Sequence, residues 1–160
     1  MLLTRTTEMG IQGLVYMADL PAERLVRPPE LAERFGTSPT YLAKILSTLA
    51  RADILLSYRG PAGGFKLARE PESIGLLEVV EALQGSVAGN YCQPRSKEEI
   101  AKTCGFHQSM WELEDAVRKV LSAWTIGRIA AQPTPPPSLT PFCKLRGLRE
   151  AAARVASRTP

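Results

Sequence analysis

The fold is decided by one short stretch of sequence, GTSPTYLAKILSTLAR at residues 36–51. Its glycine makes a break, and Ser38 followed by Pro39 is typical of a helix N-cap and first turn. The apolar residues that follow have the i, i+3, i+4, i+7 spacing that predicts one buried stripe on a helix ending near Ala52. The stripe consists of Leu42, Ile45, Leu46 and Leu49.

A shorter helix is predicted immediately before this stretch. In PPELAERF, residues 28–35, the two prolines stand where a helix start tolerates them, and the helix is expected from Glu30 to Phe35. A first helix is predicted from Thr4 to about Leu20. Two short helices joined by a tight glycine turn, the second with a polar outer face, are the sequence form of a helix-turn-helix.

Residues 54–67 predict a β-hairpin. The strand candidates are ILLSY at 54–58 and FKL at 65–67, and the loop RGPAGG between them is rich in glycine. This loop lacks the Lys-Ser/Thr ending of a P-loop and opens into a strand rather than a helix, which argues against a nucleotide-binding loop. A hairpin directly after a recognition helix is a wing.

Composition excludes several classes of protein. A chain of 160 residues with 44% hydrophobic residues is expected to form one domain with an appended element, and it has no apolar run long enough to cross a membrane. The N-terminus carries charge where a secretory signal would be apolar, so we expect a cytoplasmic protein with reduced thiols. The net charge is +4, and residues 36–69 hold a local basic surplus suited to a polyanion. Against the single acid Asp53, this segment has Lys44, Arg51, Arg59, Lys66 and Arg69.

The second half of the chain predicts two more helices. The first is expected from Ser73, as its cap, to about Leu83, and the second, longer one from about His107 to Ala131. Apolar residues in the longer helix are spaced by three, four, three and four, the spacing of a coiled-coil seam, which predicts a homodimer. Packing against the chain's own core is the alternative. The seam residues are Met110, Leu113, Val117, Val120 and Trp124.

Four stretches of the chain resemble the bacterial iron–sulfur cluster regulators, winged helix-turn-helix repressors of the IscR and NsrR kind. They are LTRTTEMGIQGLVYMADL at 3–20, TSPTYLAKIL at 37–46, RGPAGGF at 59–65 and CGFHQSMW at 104–111. The resemblance covers residues 1–131. It implies a mainly α fold, a winged helix-turn-helix with a two-stranded wing and a long C-terminal dimerisation helix.

The resemblance also implies an iron–sulfur cluster of the 2Fe–2S type. The family's three cysteines are evenly spaced, whereas here Cys92 and Cys104 take the outer places and Glu98 the middle one. Two further ligands are then needed. Some relatives use a carboxylate of the partner subunit at the position that matches Glu8, and some use the histidine that matches His107. Glu98 is the third candidate. The residues by themselves also allow a zinc site, a disulfide switch or inert thiols.

The same resemblance implies a double-stranded DNA operator as partner. Lys44 is suited to guanine or to phosphate, and Arg59 at the wing tip to the narrow minor groove of A·T-rich DNA. Ser38 and Tyr41 are expected to contact phosphate. Relatives often carry an acidic or amide side chain in place of Ala43, so base preference is expected to differ here. The predicted DNA-binding residues are Ser38, Thr40, Tyr41, Lys44, Arg59 and Gly60.

These predictions divide the chain into four parts: residues 1–70 bind DNA, 71–106 hold a connecting helix and the cluster loop, 107–131 form the dimerisation helix, and 132–160 are a proline-rich linker and basic tail. Alternatives remain open. One is a regulator of the same fold without a cluster, controlled by thiol oxidation or a protein partner. Another is a small enzyme with a Cys104–His107 nucleophile pair. A third is an interaction module that uses the basic tail.

Overall fold

The computed structural model describes residues 3–85 and 105–132. The predicted ligands Cys92 and Cys104 lie outside the described residues, as do Glu98, Cys143 and the tail. No helix of the described part is long and apolar enough to cross a bilayer. In chain order the elements are α1 (Arg5–Ala18), α2 (Pro28–Phe35), α3 (Pro39–Arg51), β1 (Leu55–Tyr58), β2 (Gly64–Leu67), a 3₁₀ turn (Pro71–Ser73), α4 (Leu76–Gln84), α5 (Gly105–Ser122) and α6 (Ile126–Ala130).

Helix α1 is the central element of the core. It begins after Thr4, whose hydroxyl oxygen accepts a hydrogen bond from the Thr7 N–H at 3.2 Å, as expected of an N-cap. Residues 13–17 are all buried, and α1 contacts α3, β2, α4 and α6. The other elements are therefore arranged around this helix.

The predicted helix-turn-helix is confirmed. Helix α2 ends at Gly36, which adopts the left-handed conformation (φ +61°) that glycine accepts without strain. Helix α3 then begins after Ser38, whose hydroxyl oxygen accepts a hydrogen bond from the Tyr41 N–H at 3.1 Å. All four residues of its predicted apolar stripe are buried, which fixes the opposite face toward solvent.

The predicted wing is also confirmed. Strands β1 and β2 are antiparallel, with Leu55 opposite Leu67 and Tyr58 opposite Gly64. A backbone bridge from Val26 to Phe65 attaches the sheet to the segment before α2. The loop needs its glycine at position 63, because a Cβ there would lie 2.2 Å from the Tyr58 carbonyl oxygen.

Helix α4 begins later than predicted. Ser73 is not its cap but lies in the 3₁₀ turn, where its hydroxyl donates to the Glu70 carbonyl oxygen. The cap position is Gly75, whose N–H donates to the Glu78 carboxylate at 2.6 Å. The buried residues of this helix are Val79 and Val80.

The long helix predicted from His107 to Ala131 is two helices, α5 and α6. Between them, the Leu76 N–H donates to the Trp124 carbonyl at 2.8 Å and the Ile126 N–H donates to the Ile74 carbonyl at 2.9 Å. These bonds to the segment at the start of α4 separate α5 from α6, and Thr125 is the N-cap of α6. Trp124 therefore leaves the predicted seam.

Helices α4 and α5 run antiparallel, because Leu76 lies beside Trp124 while Glu81 forms an ion pair with Arg118. This pair lies in the second half of α5, and Leu121 nearby is the buried residue of that helix. The first turns of α5, which include His107, therefore project past the end of α4 by about 15 Å at 1.5 Å per residue.

A buried tyrosine joins α1 to α2. Tyr16 is fully buried, and its hydroxyl donates to Glu30 at 2.6 Å, while Arg24 forms an ion pair with the same carboxylate at 3.2 Å. The Arg34 guanidinium lies 4.9 Å from the centre of the Tyr16 ring. Burial, strengthened by the hydrogen bond to Glu30, raises the pKa of Tyr16 to about 12.

This shift predicts a loss of stability in strong base. Because the folded-state pKa lies above the unfolded value of 10.0, the folded chain keeps a proton that the unfolded chain loses. The stabilisation is complete below pH 10 and is lost between about pH 10 and 12, at roughly 1.4 kcal/mol per pH unit. Urea unfolding of the wild type and Tyr16→Phe across this range should give a difference in unfolding free energy that changes with this slope. A constant difference would contradict the assignment.

Candidate nucleic-acid interface and cluster ligands

The outer face of α3 presents two of the predicted DNA-binding side chains to solvent. Thr40 and Lys44 are exposed, one helical turn apart, and Lys44 makes no side-chain hydrogen bond or ion pair with another described residue. Ala43 and Ser47 beside them are half-buried. This face is polar, accessible and attached to a buried stripe, which is the arrangement that a helix needs to enter a major groove.

The wing tip presents a second basic group. Arg59 and Gly60 are exposed at the start of the loop between β1 and β2, and Gly60 has a φ of +103°. The Gly63 N–H donates to the Gly60 carbonyl oxygen at 3.0 Å, which closes the tip into a tight turn. The Arg59 side chain makes no ion pair within the described residues, so its charge is available to a polyanion.

Part of the basic surplus seen in the sequence is neutralised in the fold. The Lys66 ammonium lies 2.6 Å from the Glu23 carboxylate, and this hydrogen bond raises the pKa of Lys66. Arg69 forms an ion pair with Glu78 on α4. Neither acid belongs to residues 36–69, so counting charges in that segment overstated its surplus. Of the five basic residues of this segment, Lys44, Arg51 and Arg59 make no ion pair with another described residue.

Two residues predicted to contact phosphate have roles inside the protein. The Ser38 oxygen caps α3, and the Tyr41 hydroxyl forms a 2.6 Å hydrogen bond with the Thr6 hydroxyl on α1. Tyr41 is half-buried and Ser38 is exposed. A hydroxyl can donate one bond and accept others, so a phosphate contact by either residue stays a prediction.

The Thr6–Tyr41 bond belongs to a polar group that sequence reasoning missed. The Gln84 side-chain oxygen, at the last residue of α4, accepts from the Thr7 hydroxyl at 2.8 Å and from the Thr4 N–H at 3.1 Å. Thr7 is completely buried. Three threonines in one turn of α1 were visible in the sequence, but their partners lie 35 and 77 residues away.

The two described candidates for cluster ligands lie on different elements. Glu8 is half-buried on α1 and makes no ion pair with another described residue, whereas His107 is half-buried in the first turn of α5. The Phe106 and His107 rings meet edge to face, with centres 5.7 Å apart. Residues 3–85 and 105–132 contain no group of three or more His, Cys, Asp or Glu side chains that would hold a metal ion.

Glu8 is nevertheless close to the start of the cysteine-bearing segment. It follows Thr7, which is bonded to Gln84, and the predicted cluster loop begins just beyond that residue. A carboxylate and an imidazole are both established metal ligands, so the donor chemistry of Glu8 and His107 fits the two positions that Cys92 and Cys104 leave open.

Known proteins match this chain over most of its length. The Rrf2 family, described as iron-dependent transcriptional regulators, matches residues 3–132. Protein aau3 of Rhizobium meliloti (strain 1021) is 33% identical over 128 residues, which are 79% of this chain and 82% of that protein. IscR of T. potens is similar in structure, with a TM-score of 0.61, 25% identity and coverage of 83% of this chain and 93% of that one. CymR (YrzC), the global cysteine regulator of B. subtilis, has a TM-score of 0.65 at 23% identity, with coverage of 82% and 98%.

The matched region extends from the residues before α1 to the end of α6, so it includes both the winged helix-turn-helix and helix α5. The fold, the exposed face of α3 and the sequence match all point to the same class of protein. The chain belongs to the Rrf2 family of transcriptional regulators.

Proposed function

We propose that the protein is a homodimeric, cytoplasmic transcription regulator that binds a double-stranded DNA operator with an affinity controlled by a 2Fe–2S cluster. The single observation that supports DNA binding is that two basic side chains are accessible, Lys44 on α3 and Arg59 at the wing tip. Neither has an ion-pair partner among the described residues. The first lies where a helix enters the major groove, and the second where a wing reaches the adjacent minor groove.

Helix α5 supports the homodimer. Phe106, Leu113 and Val120 are 57%, 48% and 60% exposed, which is unusual for large apolar side chains on one helix. With Met110 and Val117 between them, they form a stripe whose steps of four and three keep it on one side of the helix. A second copy of the same stripe would cover it, and pairing two reading heads matches two operator half-sites.

Control by a cluster rests on the cysteines and on the two non-cysteine candidates. Cys92, Cys104, Glu8 and His107 would hold the group, with Glu8 supplied by the partner subunit and Glu98 as the substitute. When bound, the cluster supplies a centre that oxygen, nitric oxide or iron supply can alter. Glu8 adjoins the turn of α1 that is bonded to the end of α4, so ligation there would act on the chain next to the DNA-binding region.

Of the alternative functions, the enzyme is set aside and the regulator without a cluster remains. Rrf2 proteins are transcriptional regulators, so the Cys104–His107 enzyme is set aside. Control by thiol oxidation without a cluster remains the second candidate, because the middle cysteine of the family pattern is replaced by Glu98.

The test of the proposal begins with protein purified without oxygen. We expect a brown protein with about two irons and two sulfides per chain, and loss of both in Cys92→Ser. Glu8→Ala and His107→Ala should lower the iron content, whereas Glu112→Ala, an exposed glutamate on α5, should not.

Operator binding is measured with a duplex selected from a random-sequence pool, before and after removal of iron. A change of affinity on iron removal supports cluster control. A colourless, iron-free protein that still selects a specific duplex would contradict the cluster and favour the thiol switch. Failure of every form to select a duplex would contradict DNA binding itself.

A further inference from the structure

The first turn of α1 connects two parts of the molecule that are far apart in sequence. On one side it is fastened to the end of α4, where the Gln84 side-chain oxygen accepts from both the Thr7 hydroxyl and the Thr4 N–H. Thr7 is fully buried, and its hydroxyl also forms a 2.9 Å hydrogen bond with the Thr4 hydroxyl, so Thr4, Thr7 and Gln84 form one connected group. The position of this turn is therefore tied to that of Gln84.

On its other side the same turn is fastened to the recognition helix. The Thr6 hydroxyl lies 2.6 Å from the Tyr41 hydroxyl, and Tyr41 stands in the first turn of α3 between Thr40 and Lys44. No other side-chain hydrogen bond joins α1 to α3 among the described residues. The bond reaches α3 at the end that carries the predicted base contacts.

Side-chain packing also connects α4 to α3 through α1. A Cβ on Gly10 would lie 2.3 Å from Leu83 Cδ1 on α4 and 3.5 Å from Ile45 Cγ2 on α3. Leu83 of α4 is thus pressed against the α1 backbone, on the side that also meets the buried stripe of α3. A shift of the end of α4 cannot be absorbed by empty space at this contact, because close-packed interiors transmit such displacements.

We propose that Gln84 and Thr6 are positioning residues for DNA recognition: through the first turn of α1 they set the position of α3 according to the position of the end of α4. Both residues would act through α1 and not through contact with DNA. The regulatory meaning rests on the proposed function, because residues 86–104, with Cys92, follow α4 directly. The positioning itself does not depend on a cluster.

A double-mutant cycle tests the connection. Gln84→Leu removes two hydrogen bonds to the first turn of α1, and Thr6→Val removes the bond to Tyr41. Each variant is expected to lower affinity for the selected duplex three- to tenfold. Because both residues act through one turn of α1, the fold-loss of affinity in the double variant should be at most about twice that of the more impaired single variant. Losses that multiply would overturn the proposal, since independent structural roles are additive in free energy. Ser73→Ala, which removes an exposed hydroxyl bond outside this route, is the control and should change affinity less than twofold.

Hydrogen exchange provides a second measurement that needs neither DNA nor iron. In the free full-length protein, Gln84→Leu should speed exchange of the α3 amides in residues 39–46 at least threefold, with α2 unchanged and circular dichroism native. Unchanged exchange in α3 would overturn the proposal. If the wild type selects no duplex, the proposed function fails, and this measurement still decides whether Gln84 positions α3.

Discussion

Replacing Leu113 and Val120 together with glutamate is expected to convert the protein to a monomer and to lower operator affinity at least a hundredfold. Both side chains are about half exposed or more in the single chain, so the substitutions leave its own core intact. In a dimer, four carboxylates would be buried in an apolar seam, at a cost of several kcal/mol per uncompensated charge. A monomer places only one reading head on the operator and loses the gain from joining two.

Sedimentation and duplex binding measured on the same samples check this result. Lys119→Glu is the matched control, because it also introduces glutamate on α5 but lies on the side opposite the apolar stripe and is exposed. It should remain dimeric and bind the duplex. If the Leu113→Glu/Val120→Glu protein stayed a dimer, the interface would have to lie elsewhere on the chain, and the seam prediction would be wrong.

The sequence predicted the DNA-binding half accurately because its signals are local. A serine or threonine cap, a proline in the first turn and a glycine in the left-handed conformation act within four residues of one another. Ser38 and Gly36 therefore mark the ends of α3 and α2 without reference to the rest of the chain. The wing was predicted for the same reason, because the glycine-rich loop that connects its two strands is also a local signal.

Errors arose where distant residues decide the structure. The heptad spacing continues to Trp124, so periodicity alone predicted one helix, but backbone bonds from Leu76 and Ile126 to the opposite segment interrupt it. Ser73 is likewise a residue type that often caps helices, but α4 begins after Gly75, whose N–H donates to the Glu78 carboxylate. Tertiary hydrogen bonds override local preference in both cases.

The candidate site was only partly foreseeable. Composition predicted a basic surface, but not that Lys66 and Arg69 would be paired with acids from outside their own segment. The spacing of Thr4, Thr6 and Thr7 gave no sign of partners on α3 and α4, because a hydroxyl on a helix can bond locally or face solvent equally well. Lys44 and Arg59 are exposed, as expected for the polar face of the recognition helix and for the wing tip.

Replacing Arg59 with alanine is expected to lower operator affinity by about thirtyfold or more. A well-placed base contact is worth roughly 1–3 kcal/mol, and in a dimer each substitution removes two arginines. The wing tip is exposed and closed by its own glycine turn, so the side chain can be removed without disturbing the sheet. Arg128→Ala is the control, because Arg128 is an exposed arginine on α6 that stacks on Trp124. Its replacement changes the charge by the same amount outside the proposed DNA interface, and this variant should bind the duplex normally.

The dependence on sequence and salt separates two ways in which Arg59 can bind. If it occupies a narrow minor groove, the loss should be largest for duplexes with A·T pairs beneath the wing and should shrink when these are changed to G·C. If it only contacts phosphate, the loss should be equal for all sequences, and the slope of log affinity against log salt should fall by about 0.9 for each contact removed. Unchanged affinity for every duplex would exclude the wing from the interface and leave recognition to α3, where Thr40 and Lys44 would have to supply it.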